Sequence, residues 1–203
     1  MVVAVEKKPR IKNGICGSGD KMSSALIEGL RLPKSHKVFQ IYGAQERLCN
    51  TLSLFKCRYG RELEFDDFRI LTWLIRNLNC LGGFCYTKGT NADFVFPESF
   101  LDKLEERIFD VFQPATTDCL DFLIQDEESF ILMDRCRIEI RDLERAFAIW
   151  YEVLYGKQEA SGSILLMSQI LNRLSTYFFN LLRYEGLKKN ISEKPWSGKV
   201  ESF

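Results

Sequence analysis

The sequence predicts a mainly α protein, an irregular multi-helix domain with one small β-hairpin and a long antiparallel helical pair at its C-terminal end. Three observations carry this. Apolar residues recur at steps of three and four between residues 48 and 184, the signature of helices with one buried face. That period breaks near residues 84–96, where two short runs flank the turn-forming Lys88-Gly89-Thr90-Asn91, as a hairpin would. Finally, 203 residues that are 46% hydrophobic and 13% aromatic suffice for one core. A chain of this size buries roughly 70% of its unfolded surface and needs neither disulfide nor metal to fold.

The elements follow in order. Residues 1–21 are Gly-rich, basic and without hydrophobic period, and read as a flexible arm. Ser23 or Ser24 can cap a short helix to about Arg31, which Pro33 stops. Between Gly43 and Gly60, Leu48, Leu52, Phe55 and Tyr59 mark a helical face, and Phe65, Phe68, Leu71, Ile75 and Leu78 mark the next, ended by Gly82-Gly83. After the hairpin, Leu101, Leu104, Ile108 and Phe112 define a helix from Glu98 to Pro114, and Thr117 can cap another that holds Leu120, Leu123 and Ile124. Ile140, Leu143, Phe147, Trp150 and Leu154 form one arm of the long pair; Met167, Ile170, Leu174, Tyr177, Leu181 and Tyr184 form the other, ended by Gly186. The organisation is thus a basic arm (1–21), a single helical domain (22–186) and a flexible tail (187–203). Helix, helix, hairpin, helix over 43–112 also has the element order of a winged helix, but Glu64, Asp66 and Asp67 beside Arg69 and Arg76 argue against a groove-reading helix.

Seven cysteines without repeated spacing do not form a disulfide framework, and Val2–Val5 is too short for a signal-peptide core, so a reducing intracellular address, cytoplasmic, is expected. The tetrad Lys7-Lys8-Pro9-Arg10 resembles a nuclear-import signal and would add the nucleus. No apolar run approaches the length of a membrane span, so no membrane partner is expected. Asn190-Ile191-Ser192 fits a glycosylation sequon, which such an address leaves unused, and Glu201-Ser202-Phe203 resembles a weak peptide-domain ligand.

Catalytic patterns are sparse. The single histidine, His36, lies among Lys34 and Lys37 in a loop, a poor setting for a general base. Cys80 and Cys85 lack a second close pair for zinc, since Cys49 and Cys57 stand about 80° apart around a helix. The segment Gly14–Ser23 resembles a phosphate loop, but Asp20 sits where a lysine is needed. Glu98, Asp102 and Glu105 share one solvent-facing side of a helix, and Glu106, Asp126, Glu127 and Glu128 add to the acidic block. No catalytic residue, metal or cofactor follows from these patterns.

Charge is the stronger lead. The chain carries 28 basic and 28 acidic residues, yet residues 1–61 hold 12 basic against 4 acidic, and residues 91–145 hold 6 against 15. One-signed surfaces concentrate partners of opposite sign. Arg47 and Arg58 lie about 20° apart around their helix, with Arg61 extending the row and Arg31, Lys34, Lys37 and Lys56 nearby. The expectation is a non-enzymatic interaction protein that uses this basic third on an acidic partner, a protein or a second copy of itself. Sequence-nonspecific RNA or duplex binding through Arg47, Arg58 and Arg61 is the second reading. Pairing of these arginines with the chain's own acidic block is the competing possibility.

Overall fold

A computed structural model describes residues 20–25, 31–115, 123–191, 194 and 199. It is mainly helical, with one two-stranded antiparallel sheet and a packed C-terminal helical pair, as expected. The hairpin is elsewhere, however. Strands β1 (Ser23–Ala25) and β2 (Arg31–Pro33) pair with Ser24 opposite Leu32. The Arg31 guanidinium donates to the Ser23 carbonyl and hydroxyl, and the Lys34 N–H donates to the Met22 carbonyl, so the ribbon closes on itself where a helix was expected.

Helix α1 (Lys37–Tyr59) begins six residues before Gly43, because His36 caps it: its Nδ1 accepts from the Val38 N–H at 3.3 Å. Val38, Ile41, Ala44, Leu48, Leu52 and Phe55 line its buried face. Helix α2 (Phe65–Asn77) carries Asp66 and Asp67 in its first turn, where the helix dipole favours carboxylates.

Residues 84–96 form no hairpin. Helix α3 (Cys80–Tyr86) occupies their start and a 3-10 turn (Ala92–Phe94) their end. Two neighbours, Phe84 and Cys85, are both buried, which a strand with one buried face does not allow because consecutive side chains point to opposite faces. Gly82 and Gly83 do not stop a helix here; they let two rings approach it. A Cβ on Gly82 would lie 2.3 Å from the Tyr42 ring, and one on Gly83 2.8 Å from Phe94. Lys88 and Gly89, both at positive φ, then turn the chain, and the Gly89 N–H closes back on the Phe84 carbonyl. Without a wing, the winged-helix reading falls.

Helix α4 (Glu98–Glu106) passes through a π-helical stretch (Arg107–Phe112) into the single turn α5 (Gln113–Ala115). The short helix expected after Thr117 lies largely outside the described residues, as does the arm from residue 1 to 19. Helix α6 (Glu128–Tyr155) ends at Gly156, whose φ is +60°, and α7 (Gly162–Lys188) returns along it. Gly186 lies inside α7, against the Phe130 ring, and the Ile191 N–H bonds back to its carbonyl. Packing runs from α1 to α6, from α6 to α7 and from α7 to α4, with α2 and α3 against α1. Trp150 and Phe147 of α6 meet Phe84 of α3 at one end of this core. None of the described helices is long and apolar enough to cross a membrane.

Replacing Gly82 by alanine should therefore destabilise the protein by about 1–3 kcal/mol, since the Tyr42 ring must leave its place. Thermal unfolding checks this, with a fall in midpoint of roughly 2–4 °C per kcal/mol.

Candidate functional site

The most elaborate polar arrangement among the described residues is buried. Asp67 projects from the apolar face of α2 and is fully covered. Arg107, from the π-helical stretch, grips it with Nε and Nη2 at 2.9 and 2.5 Å. The Tyr177 hydroxyl on α7 donates to the same carboxylate at 2.9 Å. Arg107 Nη2 also donates to Glu64 at 2.8 Å, and the Tyr184 hydroxyl donates to the other Glu64 oxygen. The Phe112 ring lies 5.0 Å beneath the guanidinium.

Burial pushes the Asp67 carboxyl above its ordinary range, and burial followed by the facing Asp67 carboxylate does the same to the Tyr177 phenol. Burial also acts to raise Glu64, but hydrogen bonds from Arg107 and Tyr184 outweigh it and hold that carboxyl low. Each group thus answers another, with Asp67 fully covered and Glu64 at the edge of the cluster. The cluster holds α2, the π-helical stretch and α7 together. Glu64, Asp66 and Asp67 read as an exposed acidic row in the sequence, and the missed signal was spacing: Asp67 falls in step with Ile70, Leu71 and Leu74.

The sequence-selected basic residues divide into two groups. At the start of α1, Lys34 and Lys37 stand with Lys21 around the Met22–Lys34 closure, and none of the three is ion-paired among the described residues. Arg31 beside them is engaged with Ser23. At the far end of α1, about 30 Å away for a helix of 23 residues, lie Lys56, Arg58 and Arg61. Lys56 sits over the Phe68 ring, and Arg58 pairs with Glu128 of α6, which also accepts from the Tyr59 hydroxyl. Arg47 is exposed between the groups. The expected continuous stripe is thus not formed, and at Arg58 the chain's own acidic block is the partner.

The remaining candidates resolve similarly. His36 is a helix cap. Cys49, Cys57, Cys80, Cys85 and Cys136 are free thiols, and no cluster fit to hold a metal occurs among the described residues. On the acidic face, Glu105 pairs with Arg173 and Glu106 with Lys103, while Glu98 and Asp102 stay exposed. Asp126 pairs with Lys194. On α6, Arg135, Arg137 and Arg145 each pair with an acid of the same helix, and exposed Arg141 pairs with none. The sequence-selected Lys7, Lys8 and Arg10 lie outside the described residues.

This helical architecture is that of the PduO-type ATP:corrinoid adenosyltransferases. A variant of the Lactobacillus reuteri enzyme complexed with cobalamin and ATP superposes with a TM-score of 0.68 at 20% identity, covering 89% of this chain and 97% of the other. A second variant with the same ligands gives 0.68 at 20% identity over 91% and 97%, and a third, complexed with ATP, gives 0.66 at 21% over 88% and 97%. At such identity the likeness shows the fold. The sequence itself matches the cobalamin adenosyltransferase family model over residues 15–185, and the chain belongs to that family. No curated protein matches the sequence.

Family membership overturns the expectation of a non-enzymatic interaction protein, together with its nucleic-acid alternative: the family is one of enzymes.

Replacing Arg107 by methionine would leave Asp67 charged, buried and unanswered. Stability should fall by about 3–5 kcal/mol in denaturant titration, against less than about 1 kcal/mol for exposed Arg58→Ala.

Proposed function

We propose that the protein is an ATP:corrinoid adenosyltransferase, which moves the adenosyl group of ATP to the cobalt of a reduced corrinoid. The carrying observation is the family match over residues 15–185, reached independently of the fold likeness. In such a transfer the reduced cobalt supplies the electron pair for the new bond to C5′ of the nucleotide. The C5′–oxygen bond breaks and triphosphate leaves with its negative charge. Catalysis therefore asks chiefly for placement of both substrates and for cations where that charge collects.

The start of α1 suits the triphosphate best. Lys21, Lys34 and Lys37 offer three ammonium groups without acidic partners among the described residues. Arg31, fixed by Ser23, holds the turn that carries them. In this reading Lys34 and Lys37, two of the seven cations expected to meet an acidic partner, have the nucleotide as their anion. Lys56 and Arg61, at the opposite end of α1, have no part in this reading.

A corrin is larger than hollows of about 450 and 460 Å³ such as those on the surface of one chain. We infer that copies of the chain associate and enclose it between them. Ile131, Ile138, Ile149 and Val153 are all exposed, and they fall within about 60° of one another along the outer face of α6. An apolar row on a long helix is what a second copy would cover.

Anaerobic mixing with ATP and chemically reduced cobalamin should yield adenosylcobalamin and triphosphate, seen in the visible spectrum and by phosphate analysis. No turnover would sink the assignment. Lys34→Ala with Lys37→Ala should lower kcat/KM for ATP at least about tenfold, or about 1.4 kcal/mol of transition-state stabilisation, without changing the unfolding midpoint. For the assembly, Ile138→Asp with Ile149→Asp should reduce the mass measured by light scattering to that of one chain.

A further inference from the structure

Helix α2 presents a second anion-seeking surface, built differently from the start of α1. Its outward face carries Arg69, Trp73 and Arg76, spaced four and three residues apart, so that one indole lies between two guanidinium groups. The indole is half-buried and held firmly. It stacks on Phe100 of α4 with ring centroids 4.0 Å apart and meets Phe96 edge-on at 5.2 Å. A hollow of about 450 Å³ opens beside it between α2 and α4, bordered by Asp66, Arg69, Trp73, Phe100 and Lys103. A second of about 310 Å³ lies across the outer face, bordered by Arg69, Trp73 and Arg76. Trp73 is the wall common to both.

Both arginines have been left without an acid. The carboxylates nearest in sequence are committed elsewhere: Asp66 to Lys103, and Asp67 and Glu64 to Arg107. The Arg69 guanidinium lies over the Phe65 ring, 5.6 Å from its centroid, a contact that orients the fork and leaves its charge unneutralised. Arg76 has no ion pair among the described residues. A preformed aromatic wall flanked by two planar forks is suited to a ring that stacks and an acid that is held bidentately.

We infer that the α2–α4 surface binds a small aromatic anion, a flat ring bearing a phosphate or carboxylate, with Trp73 contacting the ring and Arg69 and Arg76 the acid. The hollow that borders Trp73 and both arginines, about 310 Å³, has the volume of a small-molecule site. This surface is separate from the lysines assigned to the triphosphate, so occupancy here need not compete with ATP.

Titration calorimetry of the full-length protein with 1-naphthyl phosphate, 2-naphthoate, neutral 2-naphthol and inorganic phosphate tests this. Both naphthyl anions should bind more tightly than the neutral ring and than inorganic phosphate, and the tighter of the two identifies the acid. Arg69→Gln with Arg76→Gln, two exposed positions, should weaken that binding at least about tenfold while adenosyl transfer is unchanged. Lys34→Ala with Lys37→Ala should leave it intact. The inference is overturned by equal binding of 2-naphthol, by anion binding that survives the arginine double variant, by its loss in the lysine variant, or by no binding up to about 1 mM.

Discussion

The clamp of Arg107 on Asp67 is the constraint around which much of the bundle is arranged. A carboxylate without solvent contact is tolerated only when charge and hydrogen bonds answer it, and three elements supply these: α2 the acid, the π-helical stretch the guanidinium, α7 the Tyr177 hydroxyl. The π-helical stretch is part of that solution. Its wider turn carries Arg107 inward while Ile108 and Phe112 remain in the core. Glu64, Tyr184 and Lys188 extend the cluster toward the surface, so the start of α2 and the end of α7 are tied by polar contacts where apolar packing thins.

This arrangement also determines which charges remain for function. Acids near Arg107 and Lys103 are consumed internally, and Arg58 consumes Glu128. Among the described residues, the cations without an acid include the lysines at the start of α1, Arg69 and Arg76 on α2, Arg47 on α1 and Arg141 on α6. A zero net charge thus conceals several unneutralised cations. Which these are depends on pairings between residues as far apart as Arg58 and Glu128, and sequence distance says little about those.

Much of the scaffold was legible. The steps of three and four that end at Leu154 and Tyr184 place the two long helices correctly, because a buried stripe must repeat with the helical turn whatever lies opposite it. The roles of Gly82, Gly83 and Gly186 were not legible, since a glycine that ends a helix and one that admits a neighbouring ring look alike until the neighbour is known. The hairpin was expected at 84–96 on a short alternation and a turn motif, and it formed instead at 23–33, where the Ser23–Arg31 contact closes it. Short runs carry too little periodicity to decide such cases.

The site divides along the same line. The sequence by itself determined a mainly helical domain, a paired C-terminal core and an excess of cations before residue 62, because each depends on local spacing or simple composition. Only the tertiary structure decided that Asp67 is interior, that Arg58 is neutralised, and that Lys21, Lys34 and Lys37 stand free beside one turn. The reason is physical: a charge acts through what lies across from it, and in a helical bundle that neighbour belongs to another, distant helix.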